Sequence, residues 1–110
     1  MQYQAPISDL KFLLFDVLET GELAESERYK EATPDLILAV MEEMGKFSAE
    51  VLQPTNKAGD QQGCTYDPET HEVRTPDGFQ DAYRQFCAAG WTSLDAPVEF
   101  GGQGLPHVLK

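Results

Sequence analysis

The clearest structural signal in this chain is the segment Thr33-Pro34-Asp35-Leu36-Ile37-Leu38-Ala39-Val40-Met41. Thr33 can cap a helix, Pro34 suits its first turn because its φ is preset, and Asp35 favours the positive end of the helix dipole. Apolar residues then recur at three and four residue intervals, ending in Met44, Phe47 and Val51. Pro54 stops the pattern just after Leu52. We therefore predict a helix over 33–52, in which Gly45 either lets another backbone pass close by or is simply tolerated.

Two further helices are predicted on either side of this one. The first begins at a Ser8-Asp9 N-cap and stops at Gly21. Its apolar stripe comprises Leu10, Leu13, Leu14, Val17 and Leu18, widened by Phe12 and Phe15. The width of the stripe predicts packing on two neighbours. The other helix spans about 78–89 and ends at Gly90 in the left-handed conformation; its face comprises Phe79, Ala82, Tyr83, Phe86 and Cys87.

The segments between the helices differ in character. Residues 22–33 are mostly charged and predict a short helix or exposed connector, anchored by Leu23, Ala24 and Tyr29. Residues 55–76 are rich in turn formers and predict a long connection. Within it, 64–66 and 72–75 suit a small β-hairpin, which must lie against the helices because two strands alone are marginal. After Gly90 the chain is loop-like, with Trp91 as a buried anchor. The predicted fold is all-α: an up-down helical bundle with a small β-hairpin in a long connection.

Composition restricts the classes of protein. The chain has 110 residues, enough for one domain over 1–110, and 41% are hydrophobic. It should therefore bury roughly two-thirds of its unfolded surface. The net charge of -11 argues against nucleic acid and anionic membranes as partners. No apolar run approaches the ~20 residues of a bilayer span, and the amino terminus resembles no secretory or transit signal, so a cytoplasmic location is expected.

Few residues carry obvious chemistry. Cys64 and Cys87 are far apart with no metal or redox motif, which predicts two reduced thiols. His71 and His107 lack companion ligands at metal spacing, and His71 falls in the predicted hairpin turn. Glu42-Glu43 point in different directions on a helix, so a solvated face is favoured over an acid/base pair. We therefore expect no metal site.

The glycine-rich segment Gly101-Gly102-Gln103-Gly104 is the remaining candidate site. Glycine lacks a Cβ, so such a turn can bring main-chain N–H groups close to a ligand. A dinucleotide fingerprint is disfavoured because Pro106 follows where a helix should open. The alternative is a tight surface turn that joins two helices.

Several motifs taken together resemble one family. They are Tyr3, Ala5-Pro6, Asp9 and Phe12; Leu52-Gln53-Pro54-Thr55-Asn56 with Gly59-Asp60; Gly78-Phe79, Tyr83 and Gly90-Trp91; and Phe100-Gly101-Gly102-Gln103-Gly104-Leu105-Pro106. Over nearly its whole length the chain resembles the amino-terminal helical domain of acyl-CoA dehydrogenases, in the branch of 3-methylmercaptopropionyl-CoA dehydrogenase-like enzymes. It departs from the common family wording Pro-Glu-Glu-Tyr by having Pro97-Val98-Glu99-Phe100.

The resemblance implies a function for a longer protein. Such an enzyme binds FAD and oxidises an acyl-CoA thioester to a 2-enoyl-CoA, passing electrons to electron-transfer flavoprotein or a similar acceptor, and forms a homo-oligomer. A middle β-domain holds most of the flavin and a carboxyl-terminal helical domain supplies the catalytic glutamate; both lie outside this chain, which is expected to be a fragment with no catalytic residue and inactive alone. Five residues are then expected to face the acyl-CoA and flavin cavity or the adjoining domain: Phe100, Gly101, Gly102, Gly104 and Leu105.

A different class of function is the alternative. The chain could be a free-standing acidic helical module that binds a protein partner through an apolar groove, with the family likeness reflecting descent alone.

Overall fold

The computed structural model describes residues 2–110 and consists mainly of helices. The α-helices are α1 (Ile7–Lys11), α2 (Pro34–Phe47), α3 (Thr55–Gln62) and α4 (Phe79–Ala88). The first two continue directly as π-helical segments, Phe12–Val17 after α1 and Ser48–Leu52 after α2. Short 3-10 helices span Thr20–Glu25, Glu27–Tyr29, Trp91–Ser93, Val98–Phe100 and His107–Leu109. Strands β1 (Thr65–Tyr66) and β2 (Val73–Arg74) form one antiparallel hairpin. The predicted fold class, a helical bundle with a small hairpin, is confirmed.

Helix α2 begins as its sequence predicts. The Thr33 side chain accepts a hydrogen bond from the amide of Leu36 at 3.3 Å, and Pro34 occupies the first turn. Ile37 and Met41 are buried, whereas Glu42 and Glu43 are exposed, so the solvated acidic face is confirmed.

The centre of α2 also explains its glycine. A Cβ at Gly45 would lie 3.0 Å from the Cβ of Ala5 and 3.4 Å from Cδ1 of Ile7. The amino-terminal segment therefore passes close by, as one of the two predicted alternatives required.

Helix α1 departs from its predicted boundaries. It starts at Ile7, so Ser8 is inside the helix and is not its cap. Its π-helical continuation ends at Val17, shortly before Glu19, which has a φ of 50°. Gly21 has no positive φ, so the predicted stop at Gly21 is wrong.

The wide apolar stripe of the first helix is also only partly covered. Leu14 is buried with Ile37 and Met41, but five large side chains stay exposed. These are Leu10, Phe12, Leu13, Val17 and Leu18, which we call the exposed face of the first helix. The cluster around Leu14 brings the helix against α2 and against Leu109 of the last 3-10 helix, as the prediction of two neighbours requires, but most of the widened stripe stays exposed.

The charged connector is ordered by short helical turns. Ser26 caps the second of its two 3-10 helices by accepting from the amide of Tyr29. The predicted anchors Leu23, Ala24 and Tyr29 are half-buried, and Ala32 is buried. The prediction of a short helix or exposed connector is thus confirmed in outline.

Helix α3 is a correction to the predicted long connection. Thr55–Gln62 is helical and starts directly after Pro54. The Thr55 hydroxyl donates to the carbonyl of Leu52 at 2.7 Å. None of its residues is buried, and its sequence accordingly carries no apolar residues at helical spacing. Gly59 allows α3 to approach α4, since a Cβ there would lie 2.7 Å from Cζ of Phe79.

The hairpin is present but projects. Thr65 pairs with Arg74 and Tyr66 with Val73, within the predicted segments. His71 lies in the exposed turn at a φ of 61°, with its Nδ1 2.8 Å from the Tyr66 hydroxyl. Every residue from 61 to 75 is exposed, so the expectation that the strands lie against the helices is wrong. Hydrogen bonds between Gln62 and Asp77 join the base of the hairpin to α3.

Helix α4 ends as predicted at Gly90, which has a φ of 82°. Its predicted apolar face is shallow: Ala82 is buried and Phe86 is half-buried, whereas Phe79, Tyr83 and Cys87 are exposed. Cys64 is exposed as well, and both thiols are free, as predicted.

The core consists of two small clusters. One contains Leu14, Ile37 and Met41, and the other Ala32, Leu94 and Leu105. Leu109, from the last 3-10 helix, packs against both clusters and joins them. The carboxyl-terminal turn is therefore part of the core that orders the glycine-rich segment.

The molecule is a thin slab with too much surface for its mass. It measures 56 × 37 × 19 Å and exposes 8163 Å². An ordinary monomer of 12.2 kDa exposes about 6,100 Å², and its unfolded chain about 17,700 Å². The expectation that two-thirds of the surface is buried is therefore wrong, because the chain buries only about 54% by the same relation. The excess of about 2,000 Å² is the area of a substantial protein–protein interface.

Candidate functional site

The glycine-rich loop is closed by its own main chain. The six amides from Phe100 to Leu105 all donate within the loop, to the carbonyl oxygens of Ser93, Leu94, Ala96, Pro97 and Val98, at 2.9 to 3.0 Å. Because these six N–H groups are already used, the segment from Phe100 to Leu105 presents no main-chain donor to a ligand. The tight-turn alternative from the sequence therefore describes its backbone.

The glycines are needed to build this loop. A Cβ at Gly102 would overlap the carbonyl of Ala96, so only glycine fits there. Gly101 has a φ of 83°, which ends the Val98–Phe100 turn in the left-handed conformation. These two residues support the loop and do not project from it.

The five predicted site residues divide into three roles. Leu105 is buried in the core beside Ala32 and Leu94, and so anchors the loop. Gly101 and Gly102 shape the backbone as described above, and Gly104 has a φ of 65°. Phe100 alone projects, with 79% of its surface exposed, and Val98 beside it is 73% exposed. We call Val98–Phe100 the loop tip. Val98 was not among the predicted site residues, although it is an apolar residue only two positions before Phe100.

An acidic side chain closes the base of the loop. The two carboxylate oxygens of Asp95 lie 2.7 Å from Nδ1 of His107 and 3.0 Å from Nζ of Lys110. An ionised carboxylate only accepts, so both nitrogens donate to it. The hydrogen bond from His107, followed by that from Lys110, lowers the pKa of Asp95 to about 2. His107, for which the sequence indicated no partner at metal-ligand spacing, is thus hydrogen-bonded to the carboxylate of Asp95. We call these three residues the Asp95 cluster.

Trp91 packs beneath the loop. Its ring lies 6.4 Å from that of Phe47, which in turn lies 5.9 Å from Phe86. Trp91 is half-buried, so it is an anchor but less enclosed than predicted. Its Nε1 is inaccessible to solvent and has no hydrogen-bond partner among residues 2–110, which costs free energy at this position.

An apolar groove of about 680 Å³ runs between the first helix, α2 and the carboxyl-terminal turn. Its lining includes Tyr3, Leu10, Leu13, Leu18, Met44, Phe86, Trp91, Val108 and Leu109. None of the five predicted loop residues lines it. The groove and the loop tip are therefore separate features of the surface.

The described residues offer little to a charged ligand. Across 2–110, no group of three or more His, Cys, Asp or Glu side chains is placed to hold a metal ion. A second hollow of about 790 Å³, beside the hairpin, is lined by the carboxylates of Asp67, Glu72 and Asp77 as well as by Arg74. Within the same residues, no helix has the length and apolar character needed to cross a bilayer.

The chain is similar to parts of three curated enzymes. It is 37% identical over 109 residues to 3-methylmercaptopropionyl-CoA dehydrogenase of Ruegeria pomeroyi, covering 99% of this chain and 18% of that protein. It is 33% identical over 90 residues to butyryl-CoA dehydrogenase of Syntrophomonas wolfei, and 23% identical over 107 residues to a broad-specificity linear acyl-CoA dehydrogenase of Mycobacterium tuberculosis. These matches cover 15% and 18% of the respective proteins. No protein-family model matches the chain.

The chain therefore spans less than a fifth of the length of these relatives. The match over 109 residues spans the region in which the motifs quoted above lie. The resemblance predicted from the sequence is confirmed: along nearly its whole length, this chain is similar to one part of acyl-CoA dehydrogenases.

Proposed function

We propose that this chain is the amino-terminal helical domain of a longer, FAD-dependent acyl-CoA dehydrogenase, which oxidises an acyl-CoA thioester to a 2-enoyl-CoA. The observation that carries the proposal is the 37% identity over 99% of the chain to a curated acyl-CoA dehydrogenase. The acyl-CoA substrate, the electron-accepting flavoprotein, the homo-oligomer and the cytoplasmic location all belong to this proposal.

The surface of the slab supports a role within a larger protein. The exposed face of the first helix and the apolar groove together present large side chains that an independent domain would bury. Covering them with the remainder of the polypeptide would account for the excess of about 2,000 Å² of exposed surface. In this proposal the middle and carboxyl-terminal domains lie on that side.

The glycine-rich segment of this chain does not fit the phosphates of FAD. The amides from Phe100 to Leu105 are hydrogen-bonded within the loop, and the ammonium of Lys110 beside it is held by Asp95. A pyrophosphate needs free donors or positive charge, and neither is presented here. We therefore place the flavin phosphates on the remainder of the enzyme, and we give this chain neither a cofactor phosphate site nor a catalytic base.

What this chain contributes is an apolar wall. Val98 and Phe100 at the loop tip, and the lining of the groove, are the surfaces that can exclude water from an adjoining cavity. A water-excluding wall strengthens the electrostatic interactions that stabilise developing charge in such a cavity.

The test begins with the protein purified from its natural, complete reading frame. We expect flavin absorption bands that bleach when one of a panel of acyl-CoA thioesters is added without oxygen. A colourless protein would overturn the proposal and favour the acidic interaction module. The 110-residue chain is the matched control, for which we expect no flavin bands.

A further inference from the structure

The loop tip is an apolar projection on a rigid base. Val98 and Phe100 are the most exposed large hydrophobic side chains of the described residues, at 73% and 79%. Behind them, the amides of Phe100 to Leu105 are all hydrogen-bonded, and Leu105 is fixed in the core. Mobile loops commonly have open backbone groups and few core contacts, and the segment from Phe100 to Leu105 has neither property.

The direction of the tip is set where the two ends of the loop meet. Asp95 precedes the tip, and His107 and Lys110 follow it, so the Asp95 cluster joins segments 12 and 15 residues apart. The Asp95 side chain is only 20% exposed, in contrast to the ion pairs of Lys30 with Glu27 and Lys46 with Glu43, in which both side chains are more than half exposed. A partly buried carboxylate that accepts from an imidazole and from an ammonium group holds its geometry better than a carboxylate in a solvated pair.

The cluster also links the loop to the core. His107 and Lys110 flank Leu109, the residue that packs against both hydrophobic clusters. Asp95 follows Leu94, which is 5% exposed in the second cluster. Rotation of the loop about its base would therefore require either breaking the Asp95 cluster or displacing Leu109.

We propose that Asp95 is a positioning residue that fixes the direction of the loop tip, so that Val98 and Phe100 insert into an apolar hollow on the remainder of the same polypeptide. This inference rests on the proposed function, because the occupant is the larger part of the enzyme. Glu99 lies exposed between the two apolar side chains, and the chain carries a net charge of -11. The hollow that receives the tip is therefore expected to have a basic rim.

The first test measures amide hydrogen exchange in the 110-residue chain. In Asp95→Asn, we expect exchange of the amides from Gly101 to Leu105 to be about tenfold faster, because a charge-assisted hydrogen bond is replaced by weaker ones. Amides of α2 should keep their rates. Lys110→Met should act in the same direction, and it keeps the test available if Asp95→Asn fails to fold. The matched control is Glu43→Gln, which removes an exposed ion pair and should leave the loop unchanged.

Two outcomes would overturn the positioning role. Unchanged loop exchange in both variants would show that the cluster does not hold the tip. Equal acceleration in α2 and in the loop would show a purely global effect on stability. Neither outcome depends on dehydrogenase activity, so failure here is distinguishable from a colourless full-length protein.

The second test compares Phe100→Ser in the 110-residue chain and in the complete protein. We expect an unchanged Tm in the short chain, where Phe100 is exposed, and a lower Tm in the complete protein, where the tip would be buried. Asp95→Asn should lower the Tm of the complete protein further than that of the short chain. Equal effects of Phe100→Ser on the two proteins would refute insertion of the tip.

Discussion

Gly102 packs so closely on Ala96 that a Cβ at this position would overlap the Ala96 carbonyl, whose oxygen accepts a hydrogen bond from the amide of Gly104 at 2.9 Å. This contact brings the two sides of the loop together at a distance that no other residue permits. The loop is thus shaped by close backbone packing, and its glycines serve that packing rather than ligand approach.

Gly102→Ala should open the loop. The added Cβ would overlap the Ala96 carbonyl, which is main chain and cannot rotate away, so we expect a loss of unfolding free energy of about 1–3 kcal/mol. Urea unfolding of the 110-residue chain measures it. Gly101→Asn is the control, because nothing lies within 4 Å of its Cβ position and asparagine tolerates a φ of 83°. Equal losses in both variants would contradict the packing argument.

The effect of Gly59→Ala on the unfolding free energy should change sign when Phe79 is replaced by alanine. In the natural sequence the Cβ would press on the Phe79 ring, and we expect destabilisation by about 1 kcal/mol. In a Phe79→Ala background the clash is absent, and alanine should stabilise α3 by up to about 1 kcal/mol over glycine. A double-mutant cycle by urea unfolding checks this. The same value in both backgrounds would show that the ring does not limit the approach of α3 to α4.

Leu13 and Leu14 are sequence neighbours with opposite environments: Leu13 is 48% exposed and Leu14 is 8% exposed. Leu14→Ala should destabilise the 110-residue chain by about 2–4 kcal/mol, because it leaves a cavity beside Ile37 and Met41. Leu13→Ala should change it by less than about 0.5 kcal/mol.

In the longer protein proposed above, Leu13→Ala and Leu14→Ala should lower the Tm by more similar amounts. If the remainder of the polypeptide covers the exposed face of the first helix, Leu13→Ala will also lower the Tm there. A Leu13→Ala variant of the complete protein with unchanged Tm would show that this face stays in solvent.

The contribution of Asp95 should disappear in acid. Its pKa is lowered from 3.8 to about 2, so the folded state favours the ionised carboxylate. The resulting stabilisation is complete well above pH 4 and declines as the pH falls towards 2. We therefore expect the natural chain and Asp95→Asn to differ in unfolding free energy at pH 5, and to converge between pH 4 and 2. Denaturant unfolding at each pH measures the difference. A difference that persists undiminished at pH 2 would rule out ionisation of Asp95 as its source.

Local signals in the sequence predicted the elements with dedicated end residues. Thr33 and Pro34 start α2, and Gly90 stops α4, because caps and left-handed glycines act through main-chain geometry within a few residues. Helix α3 was missed because an exposed helix carries no apolar period. The family likeness was also readable, because its motifs are spread through the 110 residues and need no knowledge of packing.

The sequence predicted the position of the candidate site but not the roles of its residues. The glycine motif located the loop, but the division of its residues into the projecting Phe100 and the buried Leu105 depends on contacts with distant segments. The pairing of Asp95 with His107 was not expected either, since residues 12 apart in a loop have no fixed spatial relation until the chain is folded.

The sequence by itself determined the helical class, the start of α2, the stop of α4, the hairpin and the likeness to acyl-CoA dehydrogenases, because each depends on short-range patterns or on the order of residues. Only the tertiary structure decided which apolar side chains are buried, that the loop amides are consumed internally, and that Asp95 closes the loop. The physical reason is that burial and hydrogen-bond partners are set by segments far apart in the chain. An apolar stripe such as that of the first helix shows the capacity to pack, and the folded arrangement decides what covers it.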